Sequence, residues 1–141
     1  MEYIFKAKSD SETIQLETGG NKKLIENIKI TTDTVEENTN DRSSNILYRV
    51  ELKGTINWDT RETCKKFMDW SLASNKKDIY REVSISIYED INENPIRDFK
   101  IPNMFCEDYI ENFNCEKENI YFELKLIQKT GCLNDIENFA D

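Results

Sequence analysis

Polar and apolar residues alternate along most of this chain, and one stretch alone clearly departs from that period of two. Alternation is typical of β-strands with one buried face, because successive strand side chains point to opposite sides. The same pattern recurs from the first residues to the last strand and predicts seven or eight strands, with buried faces such as Tyr3, Phe5 and Ala7, then Val83, Ile85 and Ile87, then Ile120, Phe122, Leu124 and Leu126. The chain therefore predicts a mainly β protein.

Residues 59–74 are the exception and predict an α-helix. Four apolar residues fall near the i, i+3, i+4, i+7 spacing of one helical face, namely Cys64, Phe67, Met68 and Leu72. Asp59 is the predicted N-cap, with Glu62 as its capping-box partner. We expect Phe67 and Met68 to face the core, and Trp70, which lies off this stripe, to be covered from a second side.

One helix among many strands predicts a small β-barrel or two-sheet sandwich with the helix packed on it. A length of 141 residues suits a single domain, which we assign to residues 1–129, followed by an acidic C-terminal tail at 130–141. Residues 46–57 form a long predicted strand with one apolar face and one charged face; the charged face carries Arg49, Glu51 and Lys53. Pro102 is expected to interrupt the strand that starts near Ile96, because proline lacks the N–H of a ladder.

The ten residues 36–45 are polar throughout and predict an exposed loop. Its charged residues are Glu36, Glu37, Asp41 and Arg42. These four are our candidate contact residues, with Arg42 as the one cation.

Charge disfavours two classes of partner. The chain has 28 Asp and Glu against 19 Lys and Arg, a formal net charge of −9. Binding to nucleic-acid phosphates or to an anionic membrane needs clustered basic residues, so we expect no direct nucleic-acid recognition. No run reaches the ~20 apolar residues of a membrane helix, and no basic segment followed by an apolar one opens the sequence. We expect a cytoplasmic protein without membrane insertion, or one released in a particle without a signal peptide, and free thiols at its four cysteines.

The residue types present argue against catalysis. The sequence contains no histidine, which removes Ser-His-Asp and Cys-His arrangements and the histidine-based zinc sites. No glycine-rich phosphate loop is present, and the four cysteines lack a paired C-x-x-C spacing. We therefore predict no catalytic residues, no metal site and no cofactor, and not an enzyme.

The order of elements resembles a known fold. The elements that carry this resemblance are, in order, the strand VELKGTIN, the helix TRETCKKFMDWSLA and the strands VSISIYED, IRDFKIP and YFELKLIQK. Their order resembles that of phage tail tubes and of the haemolysin-coregulated protein of type VI secretion. The resemblance implies a barrel with a flanking helix, assembled into rings with one sheet lining a lumen. More narrowly, residues 97 to 113, with the ending FELKLIQK, are similar to a small bacterial family in which some members are labelled membrane-associated protease.

The function expected from the resemblance is a structural subunit of a phage-tail-like, injection or secretion tube. Its partners would be copies of itself in rings, hexamers among them, and other tail or injection-system proteins. Two alternatives stay open: a monomeric barrel that binds a protein partner or a small apolar ligand, and a hydrolase in keeping with the protease label. The residues that could line an apolar ligand pocket are Phe99, Phe105, Tyr109, Phe113 and Phe122.

Overall fold

A computed structural model of the chain describes residues 1–18, 23–34, 46–89, 92–129 and 137–138. Seven strands make one antiparallel sheet, and a two-residue strand joins its side. In chain order the elements are β1 (Glu2–Lys8), β2 (Thr13–Thr18), β3 (Ile25–Thr34), β4 (Ile46–Thr55), α1 (Arg61–Ser71), α2 (Lys76–Ile79), β5 (Arg81–Tyr88), β6 (Arg97–Asn114), β7 (Asn119–Gln128) and β8 (Glu137–Asn138). The predicted mainly β fold with a packed helix is confirmed.

The strands are ordered β2-β1-β5-β6-β7-β4-β3 across the sheet. The sheet curls around one cluster of buried apolar residues to which α1 and all seven long strands contribute. Its two outermost strands, β2 and β3, meet where the Leu24 N–H donates to the Thr18 hydroxyl at 3.0 Å. The sheet and its helix thereby enclose a single core.

The long strand β6 corrects the prediction for Pro102. The strand does not stop there but runs for 18 residues from Arg97 to Asn114. Its register with β5 shifts between the pairs Val83–Ile101 and Arg81–Met104, so Pro102 and Asn103 lie at an irregularity in the ladder. Asn103 has a φ of 56°, the left-handed conformation that asparagine tolerates better than most residues. Proline is accommodated because it sits at a bulge, where its missing N–H interrupts no regular pair.

The register of β6 divides the strand into two halves. Its first half pairs with β5, from Arg97 to Met104, and its second half pairs with β7, from Met104 to Asn114. The short strand β8 also pairs with the first half, at Phe99 and Lys100. One strand thus belongs to both parts of the curled sheet, and the bulge lies where it changes partners.

Helix α1 buries a different stripe from the predicted one. Cys64, Phe67 and Trp70 are buried, whereas Met68 is 42% exposed and Leu72 is 75% exposed. Phe67 faces the core as expected, but the expectation for Met68 was wrong. The two possible stripes share Cys64 and Phe67, so their spacing alone does not decide which one faces inward. Contacts with β2 and β6 on either side of the helix decide it.

The start of α1 also differs from the prediction. The N-cap is Thr60, and the helix begins at Arg61, so the predicted capping box of Asp59 and Glu62 does not form. Thr60 is fully buried, and its hydroxyl donates to the Thr55 carbonyl at 2.8 Å and accepts the Asn57 N–H at 2.9 Å. That hydroxyl secures the turn from β4 into the helix rather than capping the helix itself.

Trp70 fixes the other end of α1. Its indole Nε1 donates to the Ile79 carbonyl at 2.7 Å, which ties α1 to the end of the short helix α2. A buried Trp needs such an acceptor for its N–H. Within the described ranges, no helix combines the length and the apolar character needed to cross a membrane.

Candidate assembly surfaces

The outer face of strands β3, β4, β7 and β6 carries rows of opposite charge. One row runs across all four strands as neighbouring residues of alternating sign: Lys29, Glu51, Lys125 and Asp108. In the next row Lys53 is paired with Glu123. Opposite charges directly across a strand pair stabilise a sheet by roughly 0.2–1 kcal/mol each. The predicted charged face of residues 46–57 is therefore confirmed, and cations and anions are interspersed on it.

Arg49 joins three elements on this face. It donates to Asp33 of β3 and, at 3.2 Å, to Glu107 of β6. The hydrogen bond to Asp33 raises the pKa of Arg49, with burial acting the other way and Glu107 adding to the rise. Because the three side chains are roughly half exposed, these pairs contribute little to stability. Their effect is to hold a rigid, mixed-charge surface.

The sheet leaves strand edges without a partner in the described part of the chain. β2 pairs only with β1, and β3 pairs only with β4. The second half of β6 pairs only with β7, while α1 packs against β6. An unpaired edge presents backbone N–H and C=O groups that another chain can extend. These edges are the geometric candidates for contacts between subunits.

The aromatic residues proposed to line a ligand pocket fill space instead. Phe99 and Phe122 are buried in the core. Tyr109 packs on Phe67 and Phe122 with ring centroids 6.2 and 6.4 Å apart, and Phe105 meets Tyr80 edge-on at 6.1 Å. Phe113 is 62% exposed. These five side chains do not converge on one cavity, so the structure gives no support to a small apolar ligand.

Two titratable side chains near the helix lie buried next to each other. The Tyr109 hydroxyl is buried beside the Cys64 thiol, and burial raises the pKa of both groups above their ordinary values. Raised values keep both groups protonated and unreactive near neutral pH. Among the residues that the structure describes, no group of His, Cys, Asp and Glu side chains could hold a metal ion.

Thiol chemistry gives a direct check of this packing. Burial, with Asp108 and Glu107 adding, raises the pKa of Cys106 to about 12, whereas Cys115 is exposed. At pH 8 a pKa this high leaves Cys106 almost entirely in the thiol form. We expect iodoacetamide to label Cys115 first and Cys106 at least about a hundredfold more slowly, measured by peptide mass spectrometry. Equal rates in the folded protein would contradict the half-buried position of Cys106, and equal rates in denaturant are the control.

The predicted contact residues Glu36, Glu37, Asp41 and Arg42 lie outside the described residues, as does most of the tail at 130–141. Within that tail, Glu137 and Asn138 form β8 and pair with β6. The sequence did not predict the second half of β6, which pairs with β7 on one side only. The reason is that the segment after Pro102 shows no regular alternation of polar and apolar residues. The spacing of Tyr109 and Phe113 could have predicted this strand, because residues four apart lie on the same face of a strand and the segment leads directly into the final strand.

Three solved structures share this fold. A chain of the anti-feeding prophage baseplate aligns over 90% of this chain and 89% of its own, with a TM-score of 0.55 and 9% identity. A chain of an extracellular contractile injection system, the PVC sheath/tube terminator in the extended state, covers 90% and 89%, with a TM-score of 0.51 and 15% identity. Hcp1 from Salmonella typhimurium covers 89% of this chain and 81% of its own, with a TM-score of 0.53 and 7% identity.

The similarity is one of fold and does not extend to sequence. No protein-family model matches the chain, and no curated protein matches it. The narrower resemblance to a family with a protease label thus gains no support. The fold common to these tube and injection-system structures is the one that the order of elements predicts.

Proposed function

We propose that this protein is a structural subunit of a phage-tail-like, contractile-injection or secretion tube. The observation that carries the proposal is the likeness along nearly the whole of both chains to two components of such injection particles and to Hcp1. Each of these proteins shares the fold at 15% identity or less. The shared fold agrees with the resemblance to the tube family that the order of elements in the sequence suggests.

Its main partners are copies of itself, arranged in rings. The baseplate structure in the comparison is described as 6-fold symmetrised, so six subunits is the ring size that we propose. Lateral contacts use the parts of the β2 and β3 edges that lie beyond their meeting point at Thr18 and Leu24, because main-chain hydrogen bonds across an edge need no special side chains. Other proteins of the same particle would cover the first and last rings.

We propose no enzymatic role, with residues 1–129 as the tube domain. The thiols of Cys64 and Cys106 are buried or half-buried with raised pKa values, and the chain has no histidine to activate them. Synthesis in the cytoplasm followed by release within a particle fits such a subunit.

The proposal is tested by the mass of the purified protein in solution over a range of concentrations, with negative-stain images. We expect rings, alone or when the protein is produced together with the products of its neighbouring genes. A protein that stays monomeric in both conditions contradicts the proposed function.

The 36–45 loop is the second proposed contact. Deleting residues 38 to 44 is expected to leave the melting temperature unchanged, because this polar segment offers nothing apolar to bury, and to abolish rings or stacks. Arg42→Gln should weaken assembly partially, whereas Lys117→Gln, which removes an exposed cation from the β6–β7 turn, should leave it intact. Analytical ultracentrifugation measures both effects. A deletion variant that assembles as well as its parent removes this loop from the interface.

A further inference from the structure

The half of the sheet formed by β2, β1, β5 and the first half of β6 has two ends of different charge. Its strands run between the pair Lys8–Glu82 at one end and the pair Glu2–Tyr88 at the other. We call the first the lysine end and the second the glutamate end. The turn between β5 and β6 belongs to the glutamate end, since the Ile96 N–H donates to the Ile87 carbonyl at 2.7 Å.

The lysine end contains an open depression of about 450 Å³. Its rim carries Lys8, Lys76 and Lys77, which are exposed and make no ion pair within the described part of the chain. Tyr80 also lines it, with the Lys129 ammonium 5.1 Å from its ring centroid. These three ammonium groups make the rim of the concavity positive in a chain whose net charge is −9, while Asp10 and Glu82 are the carboxylates that also line it.

Arg81 lies at the base of this depression, where its charge is balanced by the Glu12 carboxylate. Its side chain is only 3% exposed, and it donates to Glu12 at 3.1 Å and to the Asp78 carbonyl at 3.3 Å. The third nitrogen of its guanidinium, Nη1, is buried with no hydrogen-bond partner among the described residues. Of the nearby carboxylates, Glu82 faces Lys100 at 3.8 Å, whereas Asp78 accepts a hydrogen bond from Ser11 at 3.1 Å, which does not neutralise its charge. Asp10 is the one further carboxylate that lines the depression.

The glutamate end presents the complementary charge. Glu2, Glu89 and Glu93 are exposed there, and the Glu89 carboxylate accepts a hydrogen bond from the Asn92 side-chain amide at 3.3 Å. The cations near this end include Arg97, whose guanidinium lies over the Phe99 ring at 4.5 Å, and the amino group of Met1 next to Glu2. No ion pair between described residues involves these three carboxylates, so they are available to another molecule.

We propose that the lysine end of one copy receives the glutamate end of a second copy, with Lys8, Lys76 and Lys77 facing Glu89 and Glu93. The inference rests on the proposed function and adds the residues that set the direction of stacking. A contact between two different ends of identical chains is heterologous, so it continues from copy to copy instead of closing into a dimer. We infer that the partner is a second copy of this chain, because the chain carries the opposite charge at the far end of the same strands.

Charge reversal tests the contact in both directions. One variant carries Lys76→Glu and Lys77→Glu, and the other carries Glu89→Lys and Glu93→Lys. In each variant both ends carry charge of the same sign, so identical copies repel where they would stack. The affinity of stacking at low salt should therefore fall about tenfold or more. Mixing the two variants creates opposite ends again and should restore alternating stacks. Lys65→Glu with Lys66→Glu makes the same charge change on the exposed side of α1 and should change stacking little.

Sedimentation velocity at about 0.05 M and 0.5 M salt measures the association, and melting curves confirm that each variant is folded. High salt should weaken the parent stacks, because exposed charge pairs are screened beyond about a Debye length. Parent rings that never stack, reversed variants that stack like the parent, or mixtures that fail to recover each overturn the inference. Stacking that appears only after adding an acidic protein or polyanion assigns the depression to that partner and overturns it as well.

The two proposals fail in different ways. Rings without salt-sensitive stacks contradict the head-to-tail contact and leave the tube function standing. Absence of rings contradicts the tube function, and the mixing of reversed variants still reports directly on the contact between ends.

Discussion

Replacing Phe67 by alanine should lower the free energy of unfolding by about 3–5 kcal/mol, as is typical for Phe removed from a close-packed core. Phe67 is fully buried at the centre of the inward face of α1. Its ring meets those of Phe5, Tyr109 and Phe122 at centroid distances of 5.9, 6.2 and 5.5 Å. These partners belong to β1, β6 and β7, so no single strand can move to fill the resulting cavity.

Urea unfolding followed by circular dichroism measures this loss. Met68→Ala is the matched control, because Met68 is the next residue of the same helix but is 42% exposed; its cost should stay below about 1 kcal/mol. Similar losses for the two variants would contradict the placement of α1. A loss for Phe67→Ala below about 1 kcal/mol would mean that the helix is not packed into this core.

Gly54→Ala should destabilise the protein by about 1–3 kcal/mol, the usual cost of overpacking a core. A Cβ at Gly54 would lie 2.4 Å from the Leu24 carbonyl oxygen and 2.7 Å from two carbons of the Phe122 ring. The carbonyl belongs to backbone that accepts the Thr55 N–H at 3.0 Å, so it cannot move away without breaking that bond. The need for glycine here is steric.

A double-mutant cycle identifies the clash with the ring. Phe122→Leu removes part of the ring that the new methyl group would meet, so Gly54→Ala should cost less in that background than in the parent. Lys53→Ala, at the next position of β4 but on its charged outer face, is the control and should change stability by less than about 0.5 kcal/mol. An unchanged or raised stability of Gly54→Ala would contradict the close approach, because alanine then gains only the backbone advantage over glycine.

Much of this fold could be predicted because period-two patterns record which side of a strand is buried. Phe5 and Ala7 of β1, Val83 and Ile85 of β5, and Phe122 and Leu124 of β7 are all buried as their alternation predicts. The charged side of β4 faces outward for the same reason. Successive side chains of a strand point to opposite faces. Once the apolar residues identify the buried face, the residues between them must therefore lie on the exposed face.

The sequence by itself therefore determined most of the strands, the single long helix, the inward position of Phe67 and the acidity of the chain. Only the tertiary structure decided that Pro102 lies within a continuous β6, since a ladder tolerates proline at a bulge and the bulge arises from the change of partners near Met104. It also decided that Trp70, and not Met68, is buried, because β2 and β6 fix the rotation of α1. The depression at Lys76 and Lys77 depends on the same long-range packing, which brings together side chains far apart in sequence and leaves no local pattern.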